Sequence, residues 1–496
     1  MKPLGTIAMC FPHVDEDTKA TLQSIMEEAE NITDFTERLC AKVCSEPSSP
    51  LLEYFAFYFP YCIYYDALID RLESAGKMSD LAEPLLLMSK VNKGQRISWD
   101  EMKSSLMKAL NVAPNDWIAT QLYLNWRLTA EYYFPESDVD IRPIEAITSS
   151  VDENPDLAFF KSYLLWLEAL GYLRESKRKE VVIKLRQALT IVRKFDDQVS
   201  VVNLLHFLAN LIKHSDVKQA IDLLISSREL SEQLGYRNGI GRVQHELGFI
   251  MGLRGELDAA IEYQFEYNAI RESLGLPTFW INSVIASHYN QTGNGEKALE
   301  LAKTALALED SGSRNLAHTR AQMAWALIIL GRFDEAKAEI VVCHELASRS
   351  GISWLMMWNK MVEGILDKAE SNFENAVTNF KEVLKYYEED PVPVYLNICL
   401  LNLTEIEIEM LTEESLDEKM ESSGPWMKKL EEHAKTNDLP GVAAQSMLLK
   451  AKLRHRQGQY DEVRKILKEV VKIAQAPSMK YLNDLVISKF PDTIVT

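Results

Sequence analysis

The chain has 496 residues, with 47% hydrophobic and 26% charged residues and a formal net charge of −19. Both fractions are those of an ordinary soluble globular protein, and the acidic balance weighs against wholesale nucleic-acid binding, which needs clustered Lys and Arg. Glycine (20) and proline (17) are scarce, which suits long helices joined by short connections.

The start, MKPLGTIAMCFPHVDED, lacks a basic region followed by a long apolar run, so it does not read as a signal peptide. Residues Leu4 to Met9 read as a short extended arm. Helices are expected at about 16–45, 50–75, 99–110 and 115–134, from apolar recurrence at helical spacing. Cys40 and Cys44 share one face of the first of these. With Cys10, Cys62, Cys343 and Cys399 they read as reduced buried thiols, since no CxxC occurs. The apolar stretch Tyr54 to Ile69 contains Pro60 and Asp66 and is too short to cross a membrane. Aromatic residues crowd Tyr54 to Tyr61 and Trp117 to Phe134. Residues 1–150 lack the period that follows. They read either as a degenerate continuation of the array below, or as a separate helical cap or oligomerisation face.

From residue 151 a fixed spacing takes over. A small residue is followed seven positions later by Gly or Ser, and five after that by Ala or Val. Gly248–Gly255–Ala260, Ala286–Gly293–Ala298 and Ala324–Gly331–Ala336 are the clearest cases, with Gly364–Ser371–Ala376 and Ala451–Gly458–Val463 after them. Ala169–Ser176–Val181 and Leu208–Ser215–Ala220 are looser. From Val181 to Ala376 the third positions recur every 38 to 40 residues, the mark of stacked helical repeats, and the gap from Ala376 to Val463 is 87 residues, longer than two periods. Each period reads as two amphipathic helices with a turn at the Gly or Ser. Small residues let the helices cross closely, the glycine supplies the turn, and the alanine sits one turn into the second helix. About eight such hairpins are expected over 151–476. The seventh carries an acidic insertion, Thr412 to Ser423, before Gly424–Pro425. A helix near 477–489 is expected to cap the open end, within a C-terminal segment 477–496.

The triplet of small residue, turn glycine and alanine resembles the tetratricopeptide repeat, over about 320 residues. Tyr172 and Tyr289 match its aromatic position three residues after the small one. The period of about 40 is similar to the long-helix subclass, which includes kinesin light chains, polarity adaptors and the maltose-activator sensor. The resemblance implies an all-α, right-handed superhelical solenoid of antiparallel helix pairs. It also implies that the first helix of each pair lines a concave groove. Carried over, those positions are Trp166, Leu170, Leu205, Ala209, His245, Phe249, Ser283, Ser287, Asn290, Ala321, Trp325, Ile328, Met361, Ile365, Leu448 and Lys452, with Arg242, His318 and Trp358 at the groove's edge. The partner-binding candidates drawn from these are Arg242, His245, Phe249, Ser283, Ser287, Asn290, His318, Trp325 and Trp358.

No GxxxxGK[ST] loop, GxGxxG fingerprint, HExxH or GxSxG is present, and the nine histidines stand singly. The pair Glu405 and Glu409 shares a helix face without the Glu-x-x-His partners of a four-helix metal site, and reads as solvated charge. Neither a catalytic centre nor a cofactor or metal is therefore expected. The expectation is a cytoplasmic scaffold or adaptor that binds a peptide or helix of a partner protein. The alternatives are a ligand-sensing repeat module, or self-association through the N-terminal region.

Overall fold

The computed structural model describes residues 5–46, 49–58, 72, 79–92, 97–133, 144–174, 177–276, 278–308, 315–350, 353–389, 393–412 and 424–490. Most of the acidic insertion, Cys62, Pro60, Asp66 and Ser176 lie outside them. Among the described residues the chain is all-α and contains no strand. It divides into two compact units, Met1–Val243 with Ser273–Leu276, and Gln244–Glu272 with Pro277–Thr496.

The first unit holds α1 (Gly5–Cys10), α2 (Glu16–Glu28), α3 (Ile32–Ser45), α4 (Pro50–Tyr58), α5 (Glu83–Asn92), α6 (Trp99–Val112), α7 (Asp116–Tyr133) and α8 (Ile144–Glu153). The pairs α9 (Lys161–Arg174) with α10 (Arg178–Lys194), and α11 (Gln198–Ile212) with α12 (Val217–Leu234), follow. The opening segment is thus a helix and not an extended arm, because Ile7 and Cys10, three positions apart, are both fully buried on one face. The expected helix over 16–45 is two helices. Asn31 adopts an extended backbone and accepts from Thr33 N and Asp34 N at 3.0 Å, so it caps a new start. The aromatic crowding is core packing: Tyr54, Phe55, Tyr123, Trp126, Phe159 and Phe160 are all essentially inaccessible. One continuous apolar cluster runs from Ile7 to Leu208 and takes in Tyr236. At its edge Thr33 Oγ1 donates to Gly235 O at 2.6 Å, seating the start of α3 on the turn after α12.

Helix α13 (Arg237–Arg254) belongs to the second unit from Gln244 onward. The unit continues with α14 (Leu257–Ser273), α15 (Phe279–Gln291) with α16 (Gly295–Leu308), α17 (Asn315–Ile329) with α18 (Phe333–Ser350), and α19 (Ser353–Ala369) with α20 (Phe373–Glu389). Then come α21 (Pro393–Glu409) with α22 (Pro425–Thr436), α23 (Pro440–Arg456) with α24 (Tyr460–Ile473), and α25 (Tyr481–Lys489).

The repeated triplet explains the pairing. Ala260, Ala286, Ala298, Ala324, Ala336, Ala376, Ala451 and Val463 are all fully buried. A Cβ on Gly364 would stand 3.0 Å from the Phe380 ring, so the second helix lies where only a small residue lets it. The turn residues Gly255, Gly293, Gly331 and Gly458 have φ between 72° and 82°, the left-handed region that glycine enters without cost. Ser371 holds the same position at φ 64°.

Candidate binding cavity

In the second unit alternate helices meet: α15 touches α17, α17 touches α19, α19 touches α21, and α21 touches α23. The first helices of the pairs therefore form one continuous row. The turn between α13 and α14 is tied to the last members of that row. Arg254 donates to Glu256 at 2.6 Å and to Asp438, 184 positions on, at 2.9 Å. Asn397 Nδ2 donates to Leu253 O at 2.9 Å, and the Tyr481 hydroxyl donates to Gly255 O at 2.9 Å. The Tyr481 amide donates to Asp258 Oδ2 at 2.8 Å. The final helix was expected to cap an open end. It packs on α23 and α24, but it also reaches back to the start of the row.

These ties surround a cavity of about 400 Å³. Its walls come from the first helices, α13, α15, α17, α19, α21 and α23, together with α25 and the turn glycines Gly255 and Gly293. The apolar part is Trp325, Ile329, Ile398, Leu401, Val442, Leu448, Leu449 and Leu485. The polar part is Asn290, Gln291, Asn397, Asn402 and Gln445, and the charged part is Lys368, Glu405 and Lys489. The amides are held in place. Asn290 Nδ2 donates to Gln322 O at 2.9 Å, Asn397 Oδ1 lies 2.8 Å from His433 Nε2, and Gln445 Nε2 donates to the Tyr481 hydroxyl at 2.8 Å. Such fixing lowers the entropy lost when a ligand is bound.

Glu405 is the hub of the charged part. It meets Lys368 at 2.7 Å, Lys452 at 3.0 Å and Lys489 at 3.2 Å, ammoniums from α19, α23 and α25. Burial works to raise its pKa, and the three lysines outweigh that and hold the carboxyl well below the usual range. Lys452 is shared with Glu409 at 2.5 Å. The reading of Glu405 as solvated charge is corrected here: its side chain is 19% exposed. A helix face looks solvated when seen alone, and only the neighbouring helices bring three cations onto it.

The nine candidates fall into separate groups. Asn290 and Trp325, near the C-terminal ends of α15 and α17, line the cavity, and so does Leu448. Ser283, His318 and Trp358 lie near the N-terminal ends of their helices, in a different row. Ser283 Oγ lies 2.9 Å from His318 Nδ1, the His318 ring is 5.2 Å from Trp358, and Trp358 is 4.9 Å from Tyr395. Burial pushes His318 down to about 4. His245 pairs with Gln264 at 3.0 Å and packs on Tyr267 and Trp280. Ser287 is buried and its carbonyl accepts from Gln291 at 3.3 Å, while Phe249 is half-buried. Arg242 is bound within the first unit, to Asn203 at 2.8 Å and His206 at 3.0 Å. Trp166, Leu170, Leu205 and Ala209 are in or against the core of that unit.

Sequence reasoning missed Lys368, Asn397, Asn402, Glu405 and Lys489. One signal was there: Lys368 and Glu405 lie 37 positions apart, close to one period, on successive first helices. Among the described residues no three His, Cys, Asp or Glu side chains come together as a metal site, and no helix is long and apolar enough to cross a membrane. Cys10, Cys40, Cys343 and Cys399 are buried free thiols and Cys44 is half-buried.

No protein-family model matches the chain, and no curated protein does. Among solved structures it is similar to apo RapI, at 10% identity and TM-score 0.34 over 80% of this chain and 96% of that one. It is similar to yeast Tom70 at 11% identity and TM-score 0.34, over 95% and 94% of the two chains. The P58(IPK) TPR domain is matched at 14% identity and TM-score 0.21, over 74% and 96%. The stacked-hairpin architecture stands on the helix pairs themselves.

Proposed function

We propose that this chain is a non-catalytic interaction module whose second unit binds an extended segment of a partner protein in the cavity formed by its first helices. The observation that carries this reading is the cavity itself, built from pre-fixed amides and an apolar wall around Trp325. Its size suits a few residues of extended peptide, since ligand sites run from about 300 to 1,000 Å³. Trp325 is the anchor of this reading, because a large buried aromatic contributes most to recognition.

The test is photo-crosslinking capture from a cell extract with the full chain and with Trp325→Ala plus Asn290→Ala. Loss of a partner in the double variant, with capture kept by Tyr460→Ala on the exposed outer surface, is the expected result. Partners that survive the double change would sink the cavity assignment. The second reading, a sensor of a small ligand, draws on the same cavity. A thermal-shift screen with sugars, nucleotides and short peptides separates the two, since only a bound ligand raises the melting temperature with its concentration.

A further inference from the structure

The charged residues lining the cavity are Lys368, Lys489 and Glu405, two cations against one anion. Behind them Lys452 is divided between Glu405 and Glu409. Arg456, also behind the lining, donates to Leu411 O at 2.9 Å and to Ile408 O and lies 4.0 Å from Glu409, so Lys452 and Arg456 together face Glu409 there. The residues that line the cavity thus carry one more positive charge than negative, and the groups behind them add no anion to cancel it, in a chain whose net charge is −19. The rest of the wall beside it is aliphatic and aromatic: Leu401, Leu448, Leu449, Leu485, Ile398 and Trp325. The wall carries no arginine fork to grip a dianionic phosphate, and its surplus is a single charge.

We infer that the cavity takes an amphipathic monocarboxylate, an apolar body with one carboxylate, whose head sits between Lys368 and Lys489. This rests on the reading of the cavity as the binding site and adds its ligand chemistry. Glu405 is the cavity's own carboxylate. When the ligand's carboxylate arrives, Lys452 stays with Glu405 and Glu409, and Lys368 and Lys489 are shared with the newcomer. Three ammoniums then face three carboxylates. Because Lys489 comes from the final helix, the seating of α25 on the start of the row completes the site. The same chemistry is offered by a short fatty acid and by the free C-terminus of an apolar peptide.

The test is isothermal titration of the full chain with octanoate and its neutral isostere octanamide, and with acetyl-dileucine and its C-terminal amide. Each acid should bind at least about tenfold more tightly than its amide, a difference that shrinks in 0.5 M NaCl. The stronger of the two acids names the source. Lys489→Gln should erase the preference while leaving two lysines on Glu405, so the fold is kept. Glu405→Gln should tighten acid binding severalfold by removing the competing anion, a gain that a purely structural role would not produce. Equal affinity for acid and amide in both pairs, or no binding of any of the four, overturns the inference. The cavity reading is judged separately, by partner capture in the Trp325→Ala plus Asn290→Ala chain.

Discussion

Gly255 and Gly441 meet backbone to backbone. A Cβ on Gly255 would lie 2.7 Å from Val442 N, and a Cβ on Gly441 would strike the Gly255 carbonyl. Gly255 is the turn residue between α13 and α14, and Gly441 opens α23. Two residues without side chains thus mark where the late part of the second unit touches its beginning. The hydrogen bonds from Arg254 to Asp438 and from Tyr481 to Gly255 flank this contact.

Gly441→Ala should therefore destabilise the protein by roughly 1–3 kcal/mol, the usual cost of forcing atoms into a packed contact. In an open helix the same change gains up to about 1 kcal/mol. Gly171→Ala, in α9 with nothing within 4 Å of the added Cβ, should show that gain. Urea denaturation midpoints of the two variants should move in opposite directions. A shift of the same sign in both would remove the contact as a stabilising feature.

Tyr481→Phe removes the donor to Gly255 O and the acceptor for Gln445 while keeping the ring. A loss of about 1–2 kcal/mol is expected, since a buried carbonyl and a side-chain amide each lose a partner. Hydrogen exchange should rise in α25 and at the 255–258 turn together. Faster exchange in α25 alone would show that the final helix is not coupled to that turn.

Ser371→Gly should stabilise by about 0.5–1 kcal/mol. The serine sits at φ 64°, where a Cβ is strained and glycine is not. The gain is reduced by the extra freedom glycine has in the unfolded chain. A drop in thermal midpoint would mean the serine hydroxyl matters more than its backbone.

Stability should fall as pH drops from about 6.5 to about 4. Burial, and then His245, push His288 from 6.5 down to about 4. Its ring nitrogens are buried without a partner among the described residues. The folded protein keeps this imidazole neutral while the unfolded chain protonates it. Its contribution is therefore complete above 6.5 and is lost on the way down to 4. At about 1.4 kcal/mol per pKa unit this is on the order of 3 kcal/mol. His318 is pushed down to about 4 in the same way, so His288→Leu should reduce, by roughly half, the difference between urea midpoints at pH 7.5 and pH 5.0. An unchanged difference would place the acid sensitivity elsewhere.

Much of this molecule was legible in its residues. The spacing of Gly248, Gly255 and Ala260 and its successors encodes helix pairs, because close crossing and a left-handed turn are local demands that only small residues and glycine meet. The aromatic run around Tyr123 and Trp126 announced a core. The break at Asn31 was missed because a capping asparagine looks like any polar residue within an otherwise helical pattern. Of the cavity, only Trp325, Asn290 and Leu448 were reached, through the first-helix positions.

What the sequence alone determined is the repeating unit: which residues pair the helices and where the turns fall. Tertiary structure decided what the units surround. Glu405 reads as one more surface acid until α19, α23 and α25 bring Lys368, Lys452 and Lys489 onto it. Gly441 reads as a weak helix start until Gly255 arrives against it. Both facts depend on how successive hairpins of the second unit stack, and no single stretch of residues carries that stacking.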